Sequence, residues 1–200
     1  MKIVSAVFHP LLIATYLGAF LSVKTPELFP TIQPEARLPF IGVIFLITFL
    51  MPVFSMLLLR TFKYVSDMEM MMRKERIIPF AFIVFYYAAA SYLFTIKLDI
   101  GTLFQVVIIS VTVLIFLLLI ITIWFKISIH SAAIWSCAGY ITGIVLTQSI
   151  SLGVTFYLIF VAAGLTSTSR LYLGYHSPKE VWAGAILGFG YSLGITLLIP

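Results

Sequence analysis

A polar segment near the C-terminus carries the side chains best suited to chemistry, Arg170, His176 and Glu180. Arg170 is a permanent cation whose planar guanidinium fits phosphate oxygens. His176 can act as a nucleophile or as a proton carrier near neutral pH. Glu180 is spaced to orient the imidazole and stabilise its charged form, as the acid does in a Ser-His-Asp triad. The segment therefore combines an anion-binding cation, a nucleophile and an orienting acid.

The same segment also supports a purely structural interpretation. Ser177-Pro178-Lys179-Glu180 matches a capping box, with Ser at the N-cap, Pro at the first helical position and Glu at the third. Arg170 would then extend to the membrane interface without a chemical role. Because a helix N-terminus also favours a bound anion, the two interpretations are compatible and both stay open.

The other two histidines each stand near a helix start or a proline. His130 lies between Ser128 and Ser131 at the head of an apolar stretch. Two histidines, each beside a serine at a helix head, indicate a nucleophile and general-acid pair, although a lone interfacial histidine is usually structural. Pro10 predicts a kink in the first apolar stretch. His9 is placed to approach either the site or a neighbouring carbonyl, and we favour a structural role for it.

The longest charged loop, residues 60–76, offers three further cations for an anion site, Arg73, Lys74 and Arg76. The alternative is a loop whose cations only set topology, and for any single one of them that alternative is favoured. Cys and His residues nowhere have zinc spacing, and the seven Asp and Glu residues are too sparse for a magnesium site of several carboxylates. No metal and no other cofactor is expected.

These residues must be positioned by elements that lie in a membrane. Of the 200 residues, 62% are hydrophobic and 10% are charged, and the mean hydropathy is +1.16. An ordinary soluble domain has about 25% charged residues, so a soluble globular protein, a disordered chain and a disulfide scaffold are all excluded. The net charge of +5 comes from dispersed cations. It favours anionic lipids or a phosphorylated lipid as partners rather than nucleic acid.

Uncharged stretches long enough to span a bilayer predict seven helices. Their expected bounds are 4–23, 40–59, 77–96, 103–125, 131–149, 153–168 and 181–199. The sixth is short, so the predicted fold class is an all-α, polytopic transmembrane helix bundle of six to seven spans. Nothing is left over for a soluble domain, and residues 1–200 are expected to form a single integral membrane domain.

Seven crossings would place loops 60–76, 126–130 and 169–180 on one side of the membrane. That side then holds most of the cations, namely Lys2, Arg60, Lys63, Arg73, Lys74, Arg76, Lys126, Arg170 and Lys179. The positive-inside rule would assign it to the cytoplasm. The bias becomes weak when the cations that are candidates for binding substrate are set aside, so the side of the active site stays open.

The motif spacing resembles the type 2 phosphatidic acid phosphatase superfamily, whose pattern is KxxxxxxRP, then PSGH, then SRxxxxxHxxxD. The third motif is the most specific part of the resemblance. It is matched by Ser169, Arg170, His176 and Glu180, with Glu in place of the family's Asp.

The two earlier motifs match less fully. In the second motif Ser128 and His130 fit, whereas Ile127 replaces the proline and Ile129 the glycine. The first motif is represented loosely by Arg76, with Arg73 and Lys74 among the competing cations. The resemblance covers roughly residues 60–195.

This resemblance implies a metal-independent lipid phosphatase that acts through a phosphohistidine, with the active site at one membrane face. His176 would attack phosphorus, Glu180 would orient it, and His130 would protonate the leaving oxygen. The implied phosphate-binding residues are Arg170, Arg76, Arg73, Lys74, Ser169 and Ser128. The substrate would be a lipid phosphate or an isoprenyl pyrophosphate, and the location a bacterial inner (cell) membrane. Family members commonly place the site on the outer face, against the charge count.

Two other functions are compatible with the sequence. The altered first and second motifs are typical of a catalytically silent relative that binds lipid head groups or scaffolds other proteins. A small membrane transporter is the third possibility. It is disfavoured because ion pathways need intramembrane charges, and the charges here gather in loops.

Overall fold

The computed structural model describes residues 1–66, 73–98, 100–148 and 150–198, with the side chains of Leu28, Arg73 and Lys74 left undescribed. Within those ranges the chain is helical with no strand, which confirms the predicted all-α class. The predicted fifth and seventh spans end in residues 149 and 199, which lie outside the described residues. Helices are the expected solution, because a lipid environment requires every backbone polar group to be paired within its own segment.

Besides short 3-10 turns, the described residues form eight helices. They are α1 (Lys2–Val7), α2 (Pro10–Lys24), α3 (Pro34–Thr61), α4 (Ile77–Lys97), α5 (Thr102–Trp124), α6 (Ile129–Gln148), α7 (Val154–Tyr172) and α8 (Pro178–Leu197). Six of them, α3 to α8, are long and apolar enough to cross a membrane. The chain is therefore a polytopic integral membrane protein.

The first predicted span, 4–23, is wrong as a single helix. The chain leaves helical geometry at Phe8 and His9 and resumes at Pro10. Proline has no N–H to donate and its ring collides with the preceding turn, whereas it is well tolerated in the first turn of a new helix. Nδ1 of His9 accepts a hydrogen bond from the Leu11 N–H at 3.3 Å, so the histidine pairs an otherwise open donor at the start of α2.

The chain packs as two compact units. The terminal unit comprises Met1–Ile13 and Phe125–Pro200, and the central unit comprises Ala14–Trp124. The boundary falls inside α2. The expectation that residues 1–200 form one integral membrane domain stays a prediction.

In the terminal unit, α6 and α8 pack against each other most closely. A Cβ added to Gly139 of α6 would lie 2.6 Å from the Phe189 carbonyl oxygen, and one added to Gly184 of α8 would lie 2.5 Å from the Ser128 carbonyl oxygen. A Cβ on Gly188 would collide with the Ala132 carbonyl oxygen. Small residues at this spacing let helix backbones approach closely in a bilayer, where apolar burial offers little drive for association.

The central unit has a core of aromatic rings from three helices and one connecting turn. Phe29, Phe40, Phe94 and Phe104 have ring centroids between 5.3 and 5.7 Å apart in edge-on and tilted pairs. Such geometries are preferred because ring edges carry positive and ring faces negative charge. The rings join the turn after α2 to α3, α4 and α5.

Candidate functional site

His176 and Glu180 form a hydrogen-bonded pair at the N-terminus of α8. Nδ1 of His176 lies 2.6 Å from Oε2 of Glu180, and the His176 side chain is only 3% exposed. A carboxylate can only accept, so Nδ1 carries a proton, and in the neutral ring Nε2 then has the lone pair. This is the arrangement that a histidine nucleophile needs.

The pair exists because of how α8 begins. Ser177 is the N-cap in an extended conformation, Pro178 opens the helix and Glu180 completes a capping box. The same Oε2 that holds His176 also accepts the Ser177 N–H at 3.4 Å. The structural and the chemical interpretations of this segment are therefore combined in one carboxylate.

Arg170 occupies the last turn of α7 and is 2% exposed. The helix ends at Tyr172 and the chain turns back at Gly174, whose φ of 68° suits glycine. The turn brings the Tyr175 ring under the guanidinium, with Cζ 4.5 Å from the ring centroid. Nη1 of Arg170 donates to Oγ of Ser5 at 2.7 Å. A buried cation is thus held by an aromatic face and a hydroxyl.

His130 is the second residue of α6 and is half-buried. Its ring interacts electrostatically with Arg170, His9 and His176, and it hydrogen-bonds the backbone of Ser5. The centroid of the His9 ring lies 5.4 Å away at an interplanar angle of 82°. The terminal unit thus brings together the four residues of the sequence hypothesis that bear most on the chemistry, His176, Glu180, Arg170 and His130.

Two backbone and side-chain contacts align the starts of α6 and α8. The Ser128 N–H donates to the Glu180 carbonyl at 3.1 Å. Oγ of Ser131 donates to the Val181 carbonyl at 2.9 Å and lies 3.2 Å from Oγ of Ser167 on α7. These contacts place the head of one helix beside the head of the other, which is why residues distant in sequence share one site.

The two serines predicted to bind phosphate have their hydroxyls engaged within the fold. Ser169 is fully buried and its Oγ donates to the Thr166 carbonyl at 2.7 Å. Ser128 is also fully buried, and its Oγ accepts the Ser131 N–H at 3.4 Å at the start of α6. Their role as phosphate ligands stays a prediction.

The three cations predicted from loop 60–76 belong to the central unit. Arg73 and Arg76 bound a short 3-10 turn before α4, and Arg76 is buried at 4% exposure. The side chains of Arg73 and Lys74 lie outside what the structure describes. Their contribution to phosphate binding stays a prediction, as does that of Arg76.

Sequence reasoning missed Ser5 and undervalued His9. Both lie beside the site, at the end of α1 and in the break after it. The His9-Pro10 pair was the only local signal, because it marks the end of a separate short helix. In the part of the chain that the structure describes, no group of three or more His, Cys, Asp or Glu residues is placed to hold a metal ion.

A family model matches the C-terminal part of this chain, which contains the site. Residues 122–200 match the PAP2 superfamily. The match confirms the resemblance drawn from the motif and includes His130, Arg170, His176 and Glu180. It leaves Ser5 and His9 outside the PAP2 region. No curated protein and no solved structure matches the chain. Together with the apolar helices, the PAP2 match supports a membrane phosphatase in general, one whose phosphorylated substrate lies in a membrane.

Proposed function

We propose that this protein is an integral membrane lipid phosphatase that hydrolyses a lipid phosphate or an isoprenyl pyrophosphate through a phosphohistidine. The observation that carries the proposal is the 2.6 Å contact between Nδ1 of His176 and Oε2 of Glu180, with Arg170 and His130 beside it. A nucleophile, its orienting acid, a fixed cation and a proton carrier within one unit are the parts that phosphoryl transfer to histidine requires.

In the first step, Nε2 of His176 attacks phosphorus and the bond from phosphorus to the leaving oxygen breaks. His130 donates a proton to that oxygen, which departs as the alcohol of the lipid or as the lipid monophosphate. Glu180 stabilises the positive charge that develops on the His176 ring. Arg170 stabilises the negative charge on the phosphoryl oxygens.

In the second step, water attacks phosphorus as His130 accepts its proton. The phosphorus–nitrogen bond breaks, inorganic phosphate leaves, and His176 regains its lone pair on Nε2. The two steps balance without a metal ion. We accordingly expect EDTA to leave the rate unchanged.

The membrane setting supports a lipid rather than a soluble phosphate ester. The helices that carry the site, α6 to α8, are each long and apolar enough to cross a bilayer, so a lipid tail can stay in the membrane while its head group reaches the start of α8. Candidate substrates are an isoprenyl pyrophosphate, phosphatidic acid and phosphatidylglycerol phosphate. We favour the isoprenyl class, and a bacterial inner membrane, by analogy with small bacterial members of the superfamily.

The experiment is phosphate release from each of these lipids by the protein purified in detergent. His176→Ala should abolish release, by about 10³-fold or more, because the covalent route is lost. Lys179→Ala is the matched control, since Lys179 lies on the same segment but is exposed. A His176→Ala variant as active as the wild type would overturn the nucleophile assignment.

A second arm tests the general acid. His130→Gln should slow hydrolysis of an alkyl lipid phosphate by about 10²-fold or more. It should slow the first step with p-nitrophenyl phosphate, measured as the burst of nitrophenolate, much less, because that leaving group needs no proton. An equal loss in this first step on both substrates would contradict the role of His130 as general acid. Phosphate binding with no turnover on any lipid would favour the silent relative instead.

A further inference from the structure

Ser5, which lies outside the PAP2 region, contacts both Arg170 and the ring of His130. Its hydroxyl oxygen accepts from Nη1 of Arg170 at 2.7 Å, and its backbone hydrogen-bonds the ring of His130. Ser5 is only 7% exposed, and its helix α1 packs against α7, which carries Arg170. A single residue of the N-terminal segment is thus held between the cation and the proton carrier.

The direction of the Arg170 contact leaves the hydroxyl proton of Ser5 available. A guanidinium only donates, so Ser5 must accept in this bond, and a serine hydroxyl has one proton of its own to give. Within the described residues, no acceptor for that proton is found. A phosphoryl oxygen bound by the same guanidinium would supply one.

The two serines of the motifs, Ser169 and Ser128, have hydroxyl contacts that differ from that of Ser5. The Ser169 hydroxyl donates to the Thr166 carbonyl at 2.7 Å. The Ser128 hydroxyl accepts the Ser131 N–H at 3.4 Å, at the start of α6. Of these three buried serines, Ser5 is the one whose hydroxyl touches Arg170. The hydroxyl that contacts Arg170 therefore comes from a residue outside the matched region.

We propose that the Ser5 hydroxyl is a phosphate-binding group of this site, donating to a phosphoryl oxygen that Arg170 also binds. The inference rests on the proposed function for its substrate and adds a ligand from α1 to a site that is otherwise formed by α6, α7 and α8. It also gives the break at His9-Pro10 a function, because a separate short helix can carry Ser5 up to Arg170.

The competing role is purely structural, with Ser5 only anchoring the Arg170 side chain. The two roles differ in what a hydroxyl-free residue would change. A ligand affects phosphate affinity and KM directly, whereas an anchor affects the melting temperature. The test therefore measures both.

The experiment compares Ser5→Ala, Ser5→Thr and Ser136→Ala with the wild-type protein in detergent. Ser136 is the matched control, since it is 6% exposed in the same unit and its hydroxyl donates to a carbonyl of its own helix at 2.8 Å. Calorimetry measures the affinity for inorganic phosphate. Hydrolysis of the preferred lipid gives kcat and KM, and the melting temperature is measured without ligand.

We expect Ser5→Ala to weaken phosphate affinity and kcat/KM by about 10- to 100-fold, the range for one hydrogen bond to a charged group. Ser5→Thr keeps a hydroxyl and should stay within about threefold of wild type, as should Ser136→Ala. If Ser5→Ala does not fold, Ser5→Cys decides, because it fills similar space but donates weakly. Ser5→Cys should show the same loss of phosphate affinity and kcat/KM as expected for Ser5→Ala.

Unchanged phosphate affinity in Ser5→Ala or Ser5→Cys would overturn the inference, whatever the melting temperature. The proposed function would then still stand if His176→Ala abolished hydrolysis. Conversely, phosphate binding that depends on Ser5 in a protein that hydrolyses no lipid would support the inference and contradict the proposed function. A wild-type protein that binds no phosphate would overturn the inference as well.

Discussion

Glu180 shows how one side chain can start a helix and prepare a nucleophile. Its Oε2 accepts from the backbone of Ser177 and from Nδ1 of His176, so the capping geometry and the imidazole orientation are coupled. An N-cap contact contributes about 1 kcal/mol to stability, whereas an orienting carboxylate acts mainly on the transition state. These two contributions can be separated because only the second requires a negative charge.

Glu180→Gln should therefore lower kcat by about 10²-fold or more while leaving the melting temperature close to that of wild type. The amide oxygen can still accept from Ser177, but it cannot stabilise a positive imidazole. Steady-state kinetics and thermal unfolding in detergent measure the two effects. Glu180→Ala is the control that loses both and should melt at a lower temperature. Full activity in Glu180→Gln would contradict the orienting role.

At the scale of elements, the site depends on how closely α6 and α8 approach. His130 stands at the head of α6, and the His176–Glu180 pair stands at the head of α8. The α8 backbone comes closest to the carbonyls of Ser128, just before α6, and Ala132, within α6, at Gly184 and Gly188 respectively. A wider separation would move the proton carrier away from the nucleophile.

Gly188→Ala should destabilise the protein by about 1–3 kcal/mol, the usual cost of overpacking, and reduce phosphate release. Gly190→Ala on the same helix is the control, since an added Cβ there meets nothing within 4 Å. It should be neutral or stabilising by about 0.5–1 kcal/mol, because alanine favours helix over glycine. Unfolding in a denaturing detergent compares the two. Equal stability of both variants would contradict close packing at Gly188.

At the scale of the whole molecule, the terminal unit is expected to present its chemistry at one membrane face. The helices α6, α7 and α8 are each long enough to cross once, so the connections before α6 and before α8 emerge on the same side. The connection between α6 and α7 emerges on the other. This follows from counting crossings, and it does not depend on the first predicted span.

Single cysteines labelled by an impermeant reagent in intact cells test this arrangement. In a Cys137→Ala background, Lys126→Cys and Lys179→Cys should share one labelling pattern and Ser151→Cys should show the opposite one. Permeabilised cells, in which all three should react, provide the control. Opposite patterns for Lys126→Cys and Lys179→Cys would contradict the crossing order. The result also decides which face carries the site.

The membrane class and much of the candidate site can be predicted from the sequence, because both depend on local chemistry. The membrane class follows from hydropathy, because lipid selects long apolar helices whatever their packing. The His176–Glu180 pair follows from the capping box, because a Glu at the third helical position reaches back to the residues that precede the helix. The third motif carried the resemblance that the PAP2 match confirms.

Only the tertiary structure decided which hydroxyl stands at Arg170. Ser5 and Arg170 are 165 positions apart, and nothing local in either segment encodes their contact. Ser169, adjacent to Arg170 in sequence, points its hydroxyl into its own helix because a buried donor takes the nearest carbonyl. The sequence predicts the break at Pro10. It does not predict the contact between Ser5 and Arg170, since the place where a separate short helix packs depends on contacts across the whole unit.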